Sequence, residues 1–383
     1  MDGASLLRSG VPFTYNHAVP MGNPITLRKP LALSAMLALL FALWGGLVRL
    51  QWPFPIPQAD WISFHGPLMV SGFFGTVIAM ARSNILRSKL NLPWPLILWV
   101  PLATALGAWT FLLGGPEKGG EVLFLAASLG YLAVCVGYFR LQPALFAGLA
   151  LMGGMAWACG NALWFLGRPI PQVAAGWQVF FVLTILAERL EIVRWEESGP
   201  ALVPPFLLAA LMLGGSLLTA LDPAWGVRVV SAGFLAGGLF HLAVDAWPHA
   251  EKAEGWRLFS RLCLFSGYGW MLVGGLIGLS FAPMESGLPY DAYLHALFLG
   301  MVFTMVFNHA PLLLPRVLKS PVSFHPFFYF HWALLQGSLV LRLAGDGLAN
   351  PDWRRWGALL NAAAILLFFA NTLWAVLRGR KDK

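Results

Sequence analysis

The chain has 383 residues, of which 58% are hydrophobic and only 11% charged, with a formal net charge of +8. A mean hydropathy of +0.70 leaves too little polar surface to cover a soluble globule of this size, so lipid is the expected solvent. The positive balance is then explained by basic residues facing anionic lipid, and nucleic-acid binding is excluded as a reading.

In chain order, residues 1–29 hold Pro12, Pro20 and Pro24, lack an apolar core and lack a small-residue cleavage site, which reads as a short cytoplasmic tail. Apolar runs bounded by Pro, Gly and charged residues then predict helices over 30–50, 61–81, 94–114, 121–140, 144–166 and 173–192. Six more follow over 202–221, 226–246, 259–281, 290–314, 325–345 and 356–378. Each is close to the roughly 20 residues that cross about 30 Å of hydrocarbon. The fold class is therefore all-α: a polytopic membrane protein with one twelve-helix transmembrane domain over 30–378 and a cytoplasmic tail over 379–383. Neither a soluble loop domain nor a repeat between the halves is evident.

The 25 Lys and Arg residues divide 18 to the side of the termini and 7 to the opposite side. That bias puts both termini in the cytoplasm and fits a bacterial inner membrane. Cys135, Cys159 and Cys263 each lie in an apolar block and read as packing residues rather than a disulfide framework.

Polar side chains are costly in a bilayer and face the bundle interior, which makes intramembrane histidines the first candidates for function. Counted from the non-cytoplasmic face, His65 in helix 2 and His295 in helix 10 each lie about five residues, or roughly 8 Å, deep. Two imidazoles at one depth on different helices are what axial ligation of one heme iron requires. Gly72 falls nearly beneath His65, two turns on, where a missing side chain leaves room for a flat ligand or for close helix packing. A second group, His241, His309 and His331, falls in the cytoplasmic half and reads either as a second heme or copper site or as interfacial, hydrogen-bonded histidines. Glu188, Arg189, Glu191, Asp245 and Asp291 sit at helix ends and read as solvated ion pairs. His17, His249 and His325 receive no role.

The run Phe64-His65-Gly66-Pro67-Leu68-Met69 resembles the helix-2 pattern of the catalytic subunit of the heme–copper oxidase superfamily, His-Gly-x-x-Met, in which the His binds the low-spin heme. Asn91-Leu92-Pro93-Trp94 follows it at a similar interval. His295, with Pro315-Arg316 beginning 20 residues later, resembles helix 10 of that family. Phe330-His331-Trp332 with Gly337 and Asp346-Gly347 resembles its helix 11. The chain is also similar to the NnrS family of heme- and copper-containing membrane proteins, through His65, Met69, Gly72 and Phe73 and through His295-Ala296-Leu297 with Gly300 and Thr304. Both resemblances imply an oxidase-like twelve-helix bundle with one bis-His heme b on His65 and His295, bordered by Met69 and Gly72.

Departures limit what is implied. Tyr293 stands where oxidases carry the ligand of the oxygen-reactive heme, Pro67 replaces a further NnrS histidine, and helices 6 and 7 contain no histidine. The expectation is electron transfer or nitric-oxide-related chemistry rather than oxygen reduction, with a cytochrome or quinol donor and partner subunits. Its rivals are a secondary transporter or a scaffold that has lost its cofactor.

Overall fold

In the computed structural model, residues 25–55, 59–93, 95–193, 203–246, 254–309, 311 and 322–381 are described. Most of the tail over 1–29 therefore lies outside them, as do His17, His249 and Pro315-Arg316; so do Asp382 and Lys383 of the second tail. Twelve helices account for nearly all of these residues, with no strand among them. They are α1 (Ile25–Arg49), α2 (His65–Leu90), α3 (Pro95–Leu112), α4 (Glu117–Leu141), α5 (Leu145–Phe165) and α6 (Ile170–Val193). After these come α7 (Val203–Leu218), α8 (Pro223–Ala246), α9 (Trp256–Phe281), α10 (Gly287–His309), α11 (Phe327–Gly347) and α12 (Pro351–Lys381).

Every helix predicted from the apolar runs is present, displaced by a few residues at its ends. The largest shift is at α2, which continues to Leu90 rather than ending at 81; α1 begins at Ile25 inside the expected tail, and α12 runs from Pro351 to Lys381. Nine helices among the described residues are long and apolar enough to cross a membrane, while the apolar stretches of α3 and α7, Ile97–Leu112 and Val203–Leu218, are shorter. The chain is a membrane protein built as an all-α bundle.

Sequence neighbours pack as antiparallel pairs, among them α5 with α6, α8 with α9 and α11 with α12. Two helices depart from regular α geometry. Leu68–Gly75 of α2 and Ala296–Phe303 of α10 are π-helical, eight residues each. Such widened turns are rare and leave backbone groups that need other partners. Each is braced by a tryptophan lying over a glycine and by the threonine that follows. Trp157 of α5 covers Gly75 so closely that a Cβ there would stand 2.7 Å from its ring, and its indole N–H donates to Ser71 Oγ at 3.2 Å. Thr76 Oγ1 lies 2.7 Å from the Gly72 carbonyl oxygen and 2.8 Å from Thr104 Oγ1. In α10, Trp270 covers Gly300. Its indole N–H donates to Gln336 Oε1 at 2.6 Å, and Gln336 Nε2 donates to Thr304 Oγ1 at 3.0 Å.

The two widened segments touch. Phe73 and Phe303 stack with centroids 6.4 Å apart, and Phe74 meets Phe303 at 5.1 Å. Phe181 of α6 packs on both helices, against Phe74 at 4.9 Å and Phe298 at 5.9 Å.

The charged helix ends differ from the solvated reading. Arg189 Nε donates to Asp245 Oδ1 and Oδ2 at 2.9 and 3.0 Å, and Tyr268 Oη donates to Asp245 Oδ2 at 2.7 Å, tying α6, α8 and α9 together. Asp245 is 3% exposed in this pairing. Arg82 of α2 pairs with Glu188 of α6 at 3.1 Å. The helix ends converge inside the bundle, so the charges meet across helices rather than in water. Asp245→Leu, which strands Arg189 without a partner, is expected to cost about 3–5 kcal/mol, with much of it recovered in Arg189→Met/Asp245→Leu. Thermal unfolding of both purified variants in detergent measures the difference.

Candidate functional site

The site is built from the entrance of α2, the middle of α1 and the first half of α10. A 3-10 turn over Ala59–Ile62 leads into α2, which begins at His65 itself. α10 begins at Gly287, so His295 lies well inside it. Equal depth therefore does not follow from counting along each helix. It follows from the stacked phenylalanines, because Phe73 and Phe303 each lie eight positions beyond their histidine. Asp291 of α10 is also within electrostatic reach of His65. With residue 65 near 291 and 73 beside 303, the two helices run parallel and in register. His65 and His295 act electrostatically on each other.

Both imidazoles are held in the same way. His65 Nδ1 lies 2.5 Å from the Ala42 carbonyl oxygen of α1, and His295 Nδ1 lies 2.7 Å from the Asp291 carbonyl oxygen one turn back. A carbonyl can only accept, so each ring carries its proton on Nδ1 and keeps the Nε2 lone pair. That is the tautomer of a metal-ligating histidine oriented by a backbone carbonyl. The Gly45-Gly46 pair lets α1 approach this closely: a Cβ on Gly46 would stand 2.8 Å from His65 Cε1, and one on Gly45 would stand 2.8 Å from the Trp61 carbonyl oxygen.

Charge surrounds the pair at the entrance. Arg342 of α11 grips Asp291 with two hydrogen bonds of 2.9 Å. Arg354 of α12 reaches Asp291 at 3.3 Å and Asp346 at 3.0 Å, and Asp291 Oδ1 is 3.4 Å from His295 Nδ1. Asp291 thus belongs to a buried network across α10, α11 and α12 rather than to a solvated helix end. Arg49 and Arg342 are both within electrostatic reach of His65. Beside them, Trp61 Nε1 and Tyr290 Oη are buried with no hydrogen-bond partner among the described residues.

The remaining candidates fall elsewhere. Met69 is buried in the core. Gly72 is closed off rather than open, since a Cβ there would stand 3.2 Å from both Ala38 of α1 and Ala108 of α3. Its missing side chain serves helix packing. Among the described residues no three His, Cys, Asp or Glu side chains are grouped to hold a metal ion, so His241, His309 and His331 do not form one such centre. His241 Nδ1 bonds the Gly237 carbonyl at 3.1 Å and His309 Nδ1 the Met305 carbonyl at 2.7 Å. His331 stands among Phe259, Phe307, Phe328 and Phe368, with neither ring nitrogen bonded. Tyr293, two residues before His295, is buried against α9, where a Cβ on Gly278 would stand 2.9 Å from its Cε2.

A family model described as a domain of unknown function, DUF8744, matches residues 28–377, nearly the whole chain. The chain belongs to this family. No curated protein and no solved structure matches it. The matched span contains both histidines, both π-helical segments and the whole Asp291 network.

The π-helical segments, the Gly45-Gly46 approach and the Arg342–Asp291–Arg354–Asp346 network are absent from the sequence reading. The adjacent glycines inside an apolar run were the available signal for a close approach. The tautomers make a direct prediction. In ligand-free protein labelled with 15N-histidine, His65 and His295 will give the shifts of neutral imidazole protonated at Nδ1; an Nε2-protonated ring at either position contradicts the arrangement.

Proposed function

We propose that the protein is a heme-binding integral membrane protein in which His65 and His295 are the axial ligands of one low-spin heme b, serving electron transfer or nitric-oxide-related chemistry rather than oxygen reduction. The observation that carries this reading is the matched pair of imidazoles. Each stands at the start of a π-helical segment, each is tied by Nδ1 to a backbone carbonyl, and each keeps Nε2 for a ligand. π-Helical turns are concentrated at functional sites, which favours a ligand-binding role over packing alone.

The surrounding residues fit the group as well as the ligands do. A heme adds two propionate carboxylates, which need cations and hydrogen-bond donors in a medium that solvates charge poorly. Arg49 and Arg342 supply charge, and Trp61 Nε1 and Tyr290 Oη are donors that lack partners among the described residues. Two axial imidazoles leave the iron no open position, so the bound heme supplies one-electron transfer. The protein's own part is to fix both rings, exclude water with Phe73, Phe74 and Phe303, and hold charge at the entrance through Arg342 and Asp291.

On this reading the chain crosses a bacterial inner membrane twelve times in an oxidase-like arrangement, with both termini cytoplasmic and the histidines toward the opposite face. The excess of Lys and Arg on the side of the termini supports that orientation. A cytochrome or a quinol is the partner class expected to donate the electron.

A reduced-minus-oxidised optical spectrum of detergent-purified protein tests the proposal. Sharp low-spin b-type bands are expected in the wild type and absent from His65→Ala and His295→Ala. Colourless protein after expression with ample heme would overturn the reading. Gly46→Val, which places carbon where the His65 ring lies, is expected to lower heme content at least tenfold, because displacing that ring by even about 1 Å spoils ligation.

A further inference from the structure

At the end of the bundle opposite the histidine pair, the feet of α11 and α12 enclose an open cavity of about 360 Å³ lined by His325, Phe327, Ala370, Asn371 and Trp374. This volume is within the range of small-ligand sites. Asn371, Trp374 and Arg378 recur at helical spacing along one face of α12, and His325 lies across from them with its ring 5.3 Å from the Trp374 ring.

The polar groups here are hydrogen-bond donors. Asn371 is 6% exposed, and among the described residues its amide nitrogen has no hydrogen-bond partner, a costly state for a buried donor. His325 Nδ1 accepts the Phe327 backbone N–H at 3.2 Å, which places the ring proton on Nε2 as a second donor. The Arg378 guanidinium lies over the Trp374 ring at 5.1 Å and adds a fixed positive charge. Among the described residues no carboxylate lines the cavity. Phe327 and Phe330 stack at 5.2 Å beside it, both exposed on the outer face of α11. The described lining therefore joins two donors to an apolar wall, with the Arg378 cation beside it on the Trp374 ring rather than in the lining.

We propose that this cavity binds the phosphodiester headgroup of an anionic phospholipid. The guanidinium and the two donors match the phosphate oxygens, and the exposed phenylalanines match the acyl chains that a free phosphate lacks. Basic pockets between membrane helices take such headgroups, and on the topology proposed above this end of the bundle carries most of the chain's Lys and Arg.

The test is thermal unfolding of the delipidated full chain in neutral detergent, with phosphatidylglycerol, phosphatidylcholine or inorganic phosphate added. A ligand that binds only the folded state raises the midpoint in proportion to its saturation. Phosphatidylglycerol is expected to raise the wild-type midpoint by several degrees more than phosphatidylcholine. Arg378→Gln and Asn371→Leu should remove that difference. Arg378 is exposed, so its variant folds even where the buried Asn371 variant does not. Equal shifts from the two lipids, a difference that survives in Arg378→Gln, or the same shift from inorganic phosphate would each overturn the lipid assignment.

Discussion

In hydrocarbon no water is present to complete a hydrogen bond, so a polar group that enters the bundle is costly unless it finds a partner inside the protein or on a ligand. This constraint explains why the charges at the helix ends meet across helices. Asp245 takes three hydrogen bonds from Arg189, two from Nε and one from Nη2, and one from Tyr268, so a single carboxylate joins three helices. Asp291 does the same work between α10, α11 and α12 through Arg342 and Arg354. Because a buried charge without its partner is far costlier than a missing apolar contact, these pairs fix which helices are neighbours more firmly than the apolar surfaces do.

The same constraint governs the widened turns. A π-helical segment disturbs the regular ladder, and in lipid it persists only where side chains complete the backbone's bonding or neighbouring helices cover it. Thr76 does the first for α2, while Trp157 and Trp270 do the second by filling the space over Gly75 and Gly300. Two separate helices thus carry the same brace: a histidine at the entrance, a glycine under a tryptophan, and a threonine at the exit. The result is a pair of helices whose histidines are set at one height by the stacking of Phe73 on Phe303.

Much of the fold is legible in the sequence because the signal is local. Apolar runs of span length predict all twelve helices, and histidines inside such runs single out themselves. What is lost is whatever depends on which helices touch. Arg189 with Asp245 and Arg342 with Asp291 are each more than fifty positions apart, and no local pattern pairs them. Gly72 reads equally well as ligand space or as packing, and only the positions of Ala38 and Ala108 decide for packing. His241, His309 and His331 share a depth in the sequence reading, yet depth alone does not make them neighbours. His65 and His295 rest on a depth estimate of the same kind. The register that supports them comes from aromatic contacts that the sequence does not reveal.

Glu188 and Arg189 are adjacent on α6 but pull in different directions, one toward Arg82 of α2 and the other toward Asp245 of α8. Successive side chains on a helix diverge by about 100°, so no rotation of α6 shortens one pair without straining the other. The helix is keyed like a shaft held by two pins. About two turns away, Phe181 leans on both histidine-bearing helices. The helix that meets both histidine-bearing helices at Phe181 is thus the same one that is pinned against rotation near its far end.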